Sequence, residues 1–575
     1  MKSKKQIKRP RNKSKKFRGK LMKGGGQLED DLFNACKNGD MELAMALVDR
    51  GADVNARDNN QATPLHYACT KGHMEVAMVL LDRGADIHAR DGFQTTPLHL
   101  ACQNGHMEVA MVLLDRGADV NVRNINQTTP LHVVCIRGNI EMVTDLLDRG
   151  ADIHVRDINQ ATPLHYACTK GDMEVAMVLL DRGADIHARD LSQCTPLHYA
   201  CLNGYMELAM GLVDRGADID ARDVNEKTPL HWACNSGHIE VAMALVDRDA
   251  DVDARDVAQR TPLHYACNGH MEVAMVLLDR GADVDARDVN EKTPLHWACY
   301  NGHMEVAMAL VDRDADVDAR DVNEKTPLHW ACNSGDIELA MALVDRGADV
   351  DARDVNQKTP LHYACNGHME VAMALVDRGA DIHARDLRQC TPLHYACLNG
   401  YMELAMALVD RDGDVDARDV NEKTPLHWAC NSGHIEVAMA LVDRDADVDA
   451  RDVDQSTPLH YACRKGYMEL AMALVDRGAD INARDLSGMT PLDYLSMENR
   501  NRLESMINRN VGNVMSSMVD RAERRNTVFE TAGNPYSTSR LSRLPPELLG
   551  EVNSYLGGKR KTKKRKTRRR KTRKH

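Results

Sequence analysis

From Thr63 onward, apolar residues fall at helical spacing in two short bursts and then give way to a polar stretch. Leu65, Ala68 and Cys69 stand at i, i+3 and i+4, and Val76, Ala77, Leu80 and Leu81 repeat such a stripe after Gly72. That spacing puts each set on one face of a short helix. Thr63 is placed to cap the first helix with its hydroxyl. Pro64 takes the first helical position, where its missing N–H costs nothing. Gly72 ends the first helix, His73-Met74-Glu75 opens the second, and Gly84 sits where a left-handed C-cap is expected. The segment from Ala85 to Thr95 is mostly polar and holds Asp86, Asp91 and Gly92, which suits a hairpin-like turn. Neither helix can bury its stripe alone at this length, so the unit needs neighbours.

Repetition supplies them. Thr-Pro-Leu-His begins at Thr63, Thr96, Thr129, Thr162, Thr195, Thr228, Thr261, Thr293, Thr326, Thr359, Thr391, Thr424 and Thr457, and Thr-Pro-Leu-Asp begins at Thr490. The step is 33 residues, except for 32 at Thr261 to Thr293 and at Thr359 to Thr391. A further unit without the tetrapeptide starts near Leu28. The end units are atypical, as an array requires: the first shows Glu29, Asp30 and Asp31, and the last shows Leu492-Asp-Tyr-Leu495 and a polar helix over Asn499–Asn508. Asp249, Asp314, Asp412 and Asp445 stand where other units have the C-cap glycine, so strained or reshaped junctions are expected there. The two short units are expected to lose their residue between the helices, beside Gly269 and Gly367, and to disturb the array locally.

The pattern resembles the ankyrin repeat. Thr-Pro-Leu-His, the Gly-His-Met-Glu-Val run and Arg-Gly-Ala-Asp-Val-Asn-Ala carry the likeness over about residues 28–510. The resemblance implies an all-α solenoid of about 14–15 stacked units, each a helix-turn-helix with a hairpin tip, whose concave face and tips bind partner proteins.

Positions that vary between copies are the candidates for partner contact. They lie at the tips and at the ends of the first helices, where drift at solvated sites is the competing explanation. Phe93, Lys227, Arg260 and Arg388 are tip candidates, and Tyr300 ends a first helix. Tyr205, Tyr401 and Tyr467 replace the histidine of Gly-His and are candidate exposed anchors. All four Trp, at 232, 297, 330 and 428, follow the repeat's His, and Tyr fills that slot at 67, 166, 199, 265, 363, 395 and 461. Packing between repeats is the favoured reading of this row, with partner anchoring as the alternative. Asp220, Asp253, Asp285, Asp318, Asp351, Asp416 and Asp449 form an acidic ladder near Arg-Asp pairs, read as a solvated salt-bridge ladder or as bait for a basic partner. Segments 224–257 and 420–453 are identical, which points to duplication of a six-repeat block and to an extended surface rather than one tuned site.

Charge divides the chain. The net charge is -12, yet residues 1–23 carry +12 and residues 559–575 carry +13, leaving -37 on the residues between. Both basic tails, 1–27 and 558–575, are expected to be disordered when free. They suit nuclear targeting, weak nonspecific nucleic-acid binding with a strong salt dependence, or simple solubilisation. Fourteen of the 16 cysteines share one repeat position, which reads as a row of reduced core thiols in a cytoplasmic or nuclear protein. No stretch approaches the ~18 apolar residues of a membrane span, and no secretory signal is expected. A monomer is expected.

Catalysis needs one constellation unlike its copies. The 25 His and the many Asp and Cys are nearly all repeated framework, so no enzyme activity, cofactor or metal is expected. Cys267-Asn-Gly-His270 and Cys365-Asn-Gly-His368 have the spacing of metal half-sites but read as ordinary repeats with one residue deleted.

After a linker over 511–540, residues 541–557 hold Leu544-Pro-Pro-Glu-Leu-Leu-Gly-Glu-Val-Asn-Ser-Tyr-Leu556. Pro545 and Pro546 start a helix whose stripe is Leu548, Leu549, Val552, Tyr555 and Leu556, too short to fold alone. These residues resemble the opening helix of an F-box. Ankyrin arrays followed by such a truncated segment are seen in proteins of large DNA viruses. The likeness implies that Leu544, Pro545 and the stripe bind the Skp-type adaptor of a cullin ubiquitin ligase while the repeats select targets. The competing reading is a helix that docks on the last repeat.

Overall fold

The computed structural model describes residues 26–509 and divides them into two units, one ending at Val289 and one starting at Asn290. The tails, the linker and the segment 541–557 lie outside the described residues, as do the expectations attached to them. The first unit holds eight helix pairs, from Gln27–Asn38 with Met41–Asp49 to Pro262–Ala266 with Met271–Asp279. The second holds six, from Pro294–Asn301 with Met304–Val311 to Pro458–Lys465 with Met468–Asp476, then a 3-10 turn at Pro491–Tyr494 and a helix over 497–509. Within each unit, first helices stack on first helices and second helices on second. Among the described residues there is no strand; the tips are successive turns.

Local sequence explains the element ends. From Thr63 on, every repeat's first helix starts with its Pro behind a Thr N-cap in extended conformation. Outside the two 32-residue repeats it closes at or just before a left-handed glycine, such as Gly72 at φ +76°. A side chain at Gly72 would also collide with the His106 ring of the next repeat, so packing and backbone both demand glycine. Leu65, Ala68, Cys69, Val76, Ala77 and Leu80 are all essentially buried, and the same positions are buried along both units. Each fully buried Leu contributes on the order of 2 kcal/mol, which the neighbouring repeat makes available.

The irregular units behave as follows. Deletion in the two 32-residue repeats shortens the first helix itself, to the five residues Pro262–Ala266 and Pro360–Ala364 against the usual eight, rather than only the connection after it. Cys267 and Cys365 then become the C-caps yet stay buried. Asp249, Asp314, Asp412 and Asp445 adopt φ between +63° and +69°, so carboxylate side chains occupy the glycine conformation. At three of these junctions the second helix ends one residue early, at Val246, Val311 and Val442. The terminal helix is less polar than expected: Leu503 is fully buried with Met468 and Leu492, and Met506 and Ile507 pack against them, sealing the core.

Candidate protein-binding surface

Each tip is held by three polar devices. The first is the framework histidine. Nδ1 of His329 accepts the backbone N–H of Thr326 at 3.1 Å, closing the capping box. A backbone N–H can only donate, so Nδ1 is unprotonated and Nε2–H donates to the Lys358 carbonyl at 3.0 Å, one repeat on. Burial pushes the pKa of this ring down to about 4, with the hydrogen bond to Lys358 opposing the shift. His99, His132, His231, His394 and His427 are pushed down to about 4 by the same burial.

The second device is the tip aspartate, buried in every repeat from Asp157 on. Oδ1 of Asp354 accepts from the backbone N–H groups of Asn356 and Lys358, both at 2.8 Å, and Oδ2 accepts from the Tyr363 hydroxyl at 2.7 Å. Where Trp replaces Tyr, Nε1–H takes the role: Trp232 reaches Asp223 at 3.2 Å, Trp330 reaches Asp321 at 3.3 Å and Trp428 reaches Asp419 at 3.1 Å. The aromatic row is therefore repeat packing, with its polar edge bonded to a tip carboxylate rather than to solvent. Burial raises the pKa of Tyr166 and Tyr363, and the aspartate bond adds to the rise.

The third device joins tip to tip. Nη1 of Arg222 donates to the Arg255 carbonyl at 2.8 Å, and Arg418 reaches the Arg451 carbonyl at 2.8 Å. The Val224 N–H bonds to the Ser192 carbonyl at 2.8 Å, and Val420 to that of Arg388 at 2.8 Å.

The acidic ladder has a different role from the salt bridges expected of it. Asp220 accepts the Asp251 N–H at 3.0 Å, Asp318 that of Asp349 at 2.9 Å and Asp416 that of Asp447 at 2.9 Å, each across a repeat boundary. Burial raises the pKa of Asp220, Asp253 and Asp416. The salt-bridge ladder runs along the second helices instead: Asp82 to Arg116 at 2.8 Å and Asp148 to Arg182 at 2.8 Å in the first unit, Asp377 to Arg411 at 2.6 Å in the second.

A family model described as "Ankyrin repeats (3 copies)" matches residues 27–91, 88–157, 131–223, 217–288, 256–321, 287–354, 315–386 and 383–452, and one described as "Ankyrin repeats (many copies)" matches 441–495. The chain belongs to the ankyrin-repeat family. No curated protein matches it. Ankyrin repeats form a protein–protein interaction domain, and this all-α array is one. Among the described residues no helix is long and apolar enough to cross a membrane, and no group of three or more His, Cys, Asp or Glu side chains could hold a metal ion. All 16 cysteines are free and buried, and burial raises the pKa of Cys36 to about 12.

The candidate contact residues fall in three settings on this ankyrin array. Phe93 projects from its tip, 67 % exposed, and Tyr300 is half exposed at the end of its first helix, edge-on to Trp330 at 5.2 Å. Lys227, Arg260 and Arg388 lie flat on aromatic faces. Lys227 and Arg260 both stand over Tyr265, at 4.4 Å and 4.8 Å, Arg260 also pairs with Asp256 at 3.3 Å, and Arg388 lies 5.4 Å from Trp428. Tyr205, Tyr401 and Tyr467 are the N-caps of their second helices. The rings of Tyr205 and Tyr467 cover Gly171 and Gly433 of the preceding repeats, where histidine elsewhere bonds a carbonyl, as His238 does to Leu202 at 3.0 Å.

One set of candidates went unnoticed in the sequence. Immediately after Asn124, and after every tip aspartate from Asp157 on, stands an exposed aliphatic residue. In the first unit these are Ile125, Ile158, Leu191, Val224, Val257 and Val289; in the second they are Val322, Val355, Leu387, Val420, Val453 and Leu486. The signal was their recurrence every 32 or 33 residues, hidden because each tip alone reads as polar. In the second unit the space between tip and first helix opens into a cleft of about 260 Å3 lined by Arg388, Asp419, Lys423, Trp428 and Asn431 among others.

Proposed function

We propose that the ankyrin array of residues 28–510 binds partner proteins along its tips and the adjoining groove, and that residues 541–557 hand the bound target to a Skp-type adaptor of a cullin ubiquitin ligase. The exposed aliphatic residue on successive tips carries the first half of this reading. A regular apolar row that remains accessible favours partner contact over a purely solvated rim. The F-box-like stripe of Leu548, Leu549, Val552, Tyr555 and Leu556 supports the second half. The array's polar side chains are copied framework with internal partners, which argues against a catalytic role. The virus-type arrangement, a cytoplasmic or nuclear location and a monomeric state belong to the same proposal.

Affinity capture from cells with the full chain and its L548D/L549D variant tests it. The reading expects targets in both captures and the adaptor only with the parent. Adaptor retained by the variant overturns the ligase half and leaves a scaffold or competitor. Loss of every target after Val322, Val355 and Val420 are changed to Ser supports the tips as the contact, and unchanged capture removes them. The remaining alternative is a nucleic-acid tether through the basic tails, favoured by their +12 and +13 charges. It requires that neutralising the tails abolish nucleic-acid binding and its salt slope.

A further inference from the structure

In the second unit every repeat places one cation over the aromatic ring of the repeat that follows. Lys292 lies 4.0 Å from the Trp330 ring centroid, Lys325 4.5 Å from Tyr363 and Lys358 4.8 Å from Tyr395. Arg388 lies 5.4 Å from Trp428, Lys423 5.0 Å from Tyr461 and Arg464 4.8 Å from Tyr494. Arg388 and Arg464 come from different repeat positions, because Cys390 and Ser456 replace the lysine that precedes Thr. The row of cations is therefore maintained in space although the sequence position is not.

These cations differ from the molecule's other charges. The exposed Asp–Arg pairs of the second helices neutralise one another. The groove aspartates Asp321, Asp354, Asp386, Asp419 and Asp452 are buried and accept from backbone N–H groups. Lys325, Lys358 and Lys423, by contrast, have no carboxylate within 4.0 Å of Nζ among the described residues. Burial lowers the pKa of Lys325 despite Asp354 and Asp321, and the Lys292 and Lys358 charges add to the lowering. An ammonium on an aromatic face keeps donors free for a ligand.

We propose that this row is a binding rail for an extended acidic segment of a partner protein, one carboxylate per repeat. Stacked helices are spaced ~8–10 Å apart. An extended chain advances ~3.3 Å per residue. The matching ligand therefore carries Asp or Glu at every third position. Nucleic acid fits less well, because the Trp330 and Tyr363 rings each already carry two cations and offer no open face for a base to stack on. The rail rests on the reading that the array binds proteins, and names the chemistry of one partner.

The test uses the full chain and its K325M/K358M variant, in which Met keeps an unbranched stem on the rings and removes the charge. Three fluorescein-labelled probes are titrated: an 18-residue peptide with Glu at every third position, a peptide of identical composition with its six Glu contiguous, and single-stranded oligothymidylate. Charge attraction by the basic tails would not select a three-residue spacing, so the preference between the two peptides isolates the rail. The parent should favour the spaced peptide at least tenfold, and the variant should lose that preference while keeping the parent's circular dichroism melt. Equal binding of both peptides by the parent, or an unchanged preference in the variant, overturns the proposal. Loss of oligothymidylate binding alone assigns the row to nucleic acid. A variant that still captures the parent's cellular targets refutes the rail without touching the protein-binding function.

Discussion

Acid should unfold the array before its carboxylates titrate. The framework histidine is neutral when folded, since its Nδ1 must accept the Thr N–H, as at His329. Protonation would set two N–H groups against each other inside the core. His99, His132, His231, His329, His394 and His427 have folded pKa values of about 4, against 6.5 for the free side chain. A base with a lowered folded pKa gives stability that is full above 6.5 and is lost as the pH falls toward 4. At pH 5 the unfolded chain gains on the order of 30-fold in proton-binding weight per histidine over the folded one, or about 2 kcal/mol each. Three of these six lie in each unit, so each should lose about 6 kcal/mol when it unfolds whole. Guanidinium unfolding followed by circular dichroism at pH 7.5 and pH 5.0 measures this. In the H329Q variant, Gln can retain the capping box, and the pH slope should fall by about one proton. Equal midpoints at the two pH values, or a loss that begins only below pH 4, would refute the reasoning.

Three further outcomes follow from the same contacts. Asp354→Ala removes an acceptor used by two backbone N–H groups and the Tyr363 hydroxyl, and should cost about 3 kcal/mol, read from the denaturation midpoint and from faster amide exchange over residues 355–358. Asp249→Gly and Asp445→Gly relieve left-handed backbone at φ +65° and +66°, and each should stabilise its repeat by roughly 0.5–1 kcal/mol in the same assay. Arg346→Ala breaks an exposed pair with Asp312 and should leave the melting midpoint unchanged in 0.15 M salt.

The sequence by itself determined the helix pairs, their ends and their buried faces. Thr caps, Pro starts and apolar spacing are local properties, and the 33-residue step repeats them until no other assignment fits. It also marked Phe93 and Tyr300 as variable surface residues, which they are. Tertiary structure alone decided the partners of the polar residues, because those partners lie a whole repeat away. Asp220 finds the Asp251 N–H rather than the nearby arginine, and Arg222 finds the Arg255 carbonyl. The deletion before Gly269 is absorbed by the first helix because Cys267 must stay in the core while the second helix keeps its register. The cation row is the clearest case: Arg388 and Arg464 replace the missing lysines only once stacking brings them over Trp428 and Tyr494. A local pattern sets what each repeat is, but contact between repeats, where side chains reach about one helix spacing, sets what its charges do.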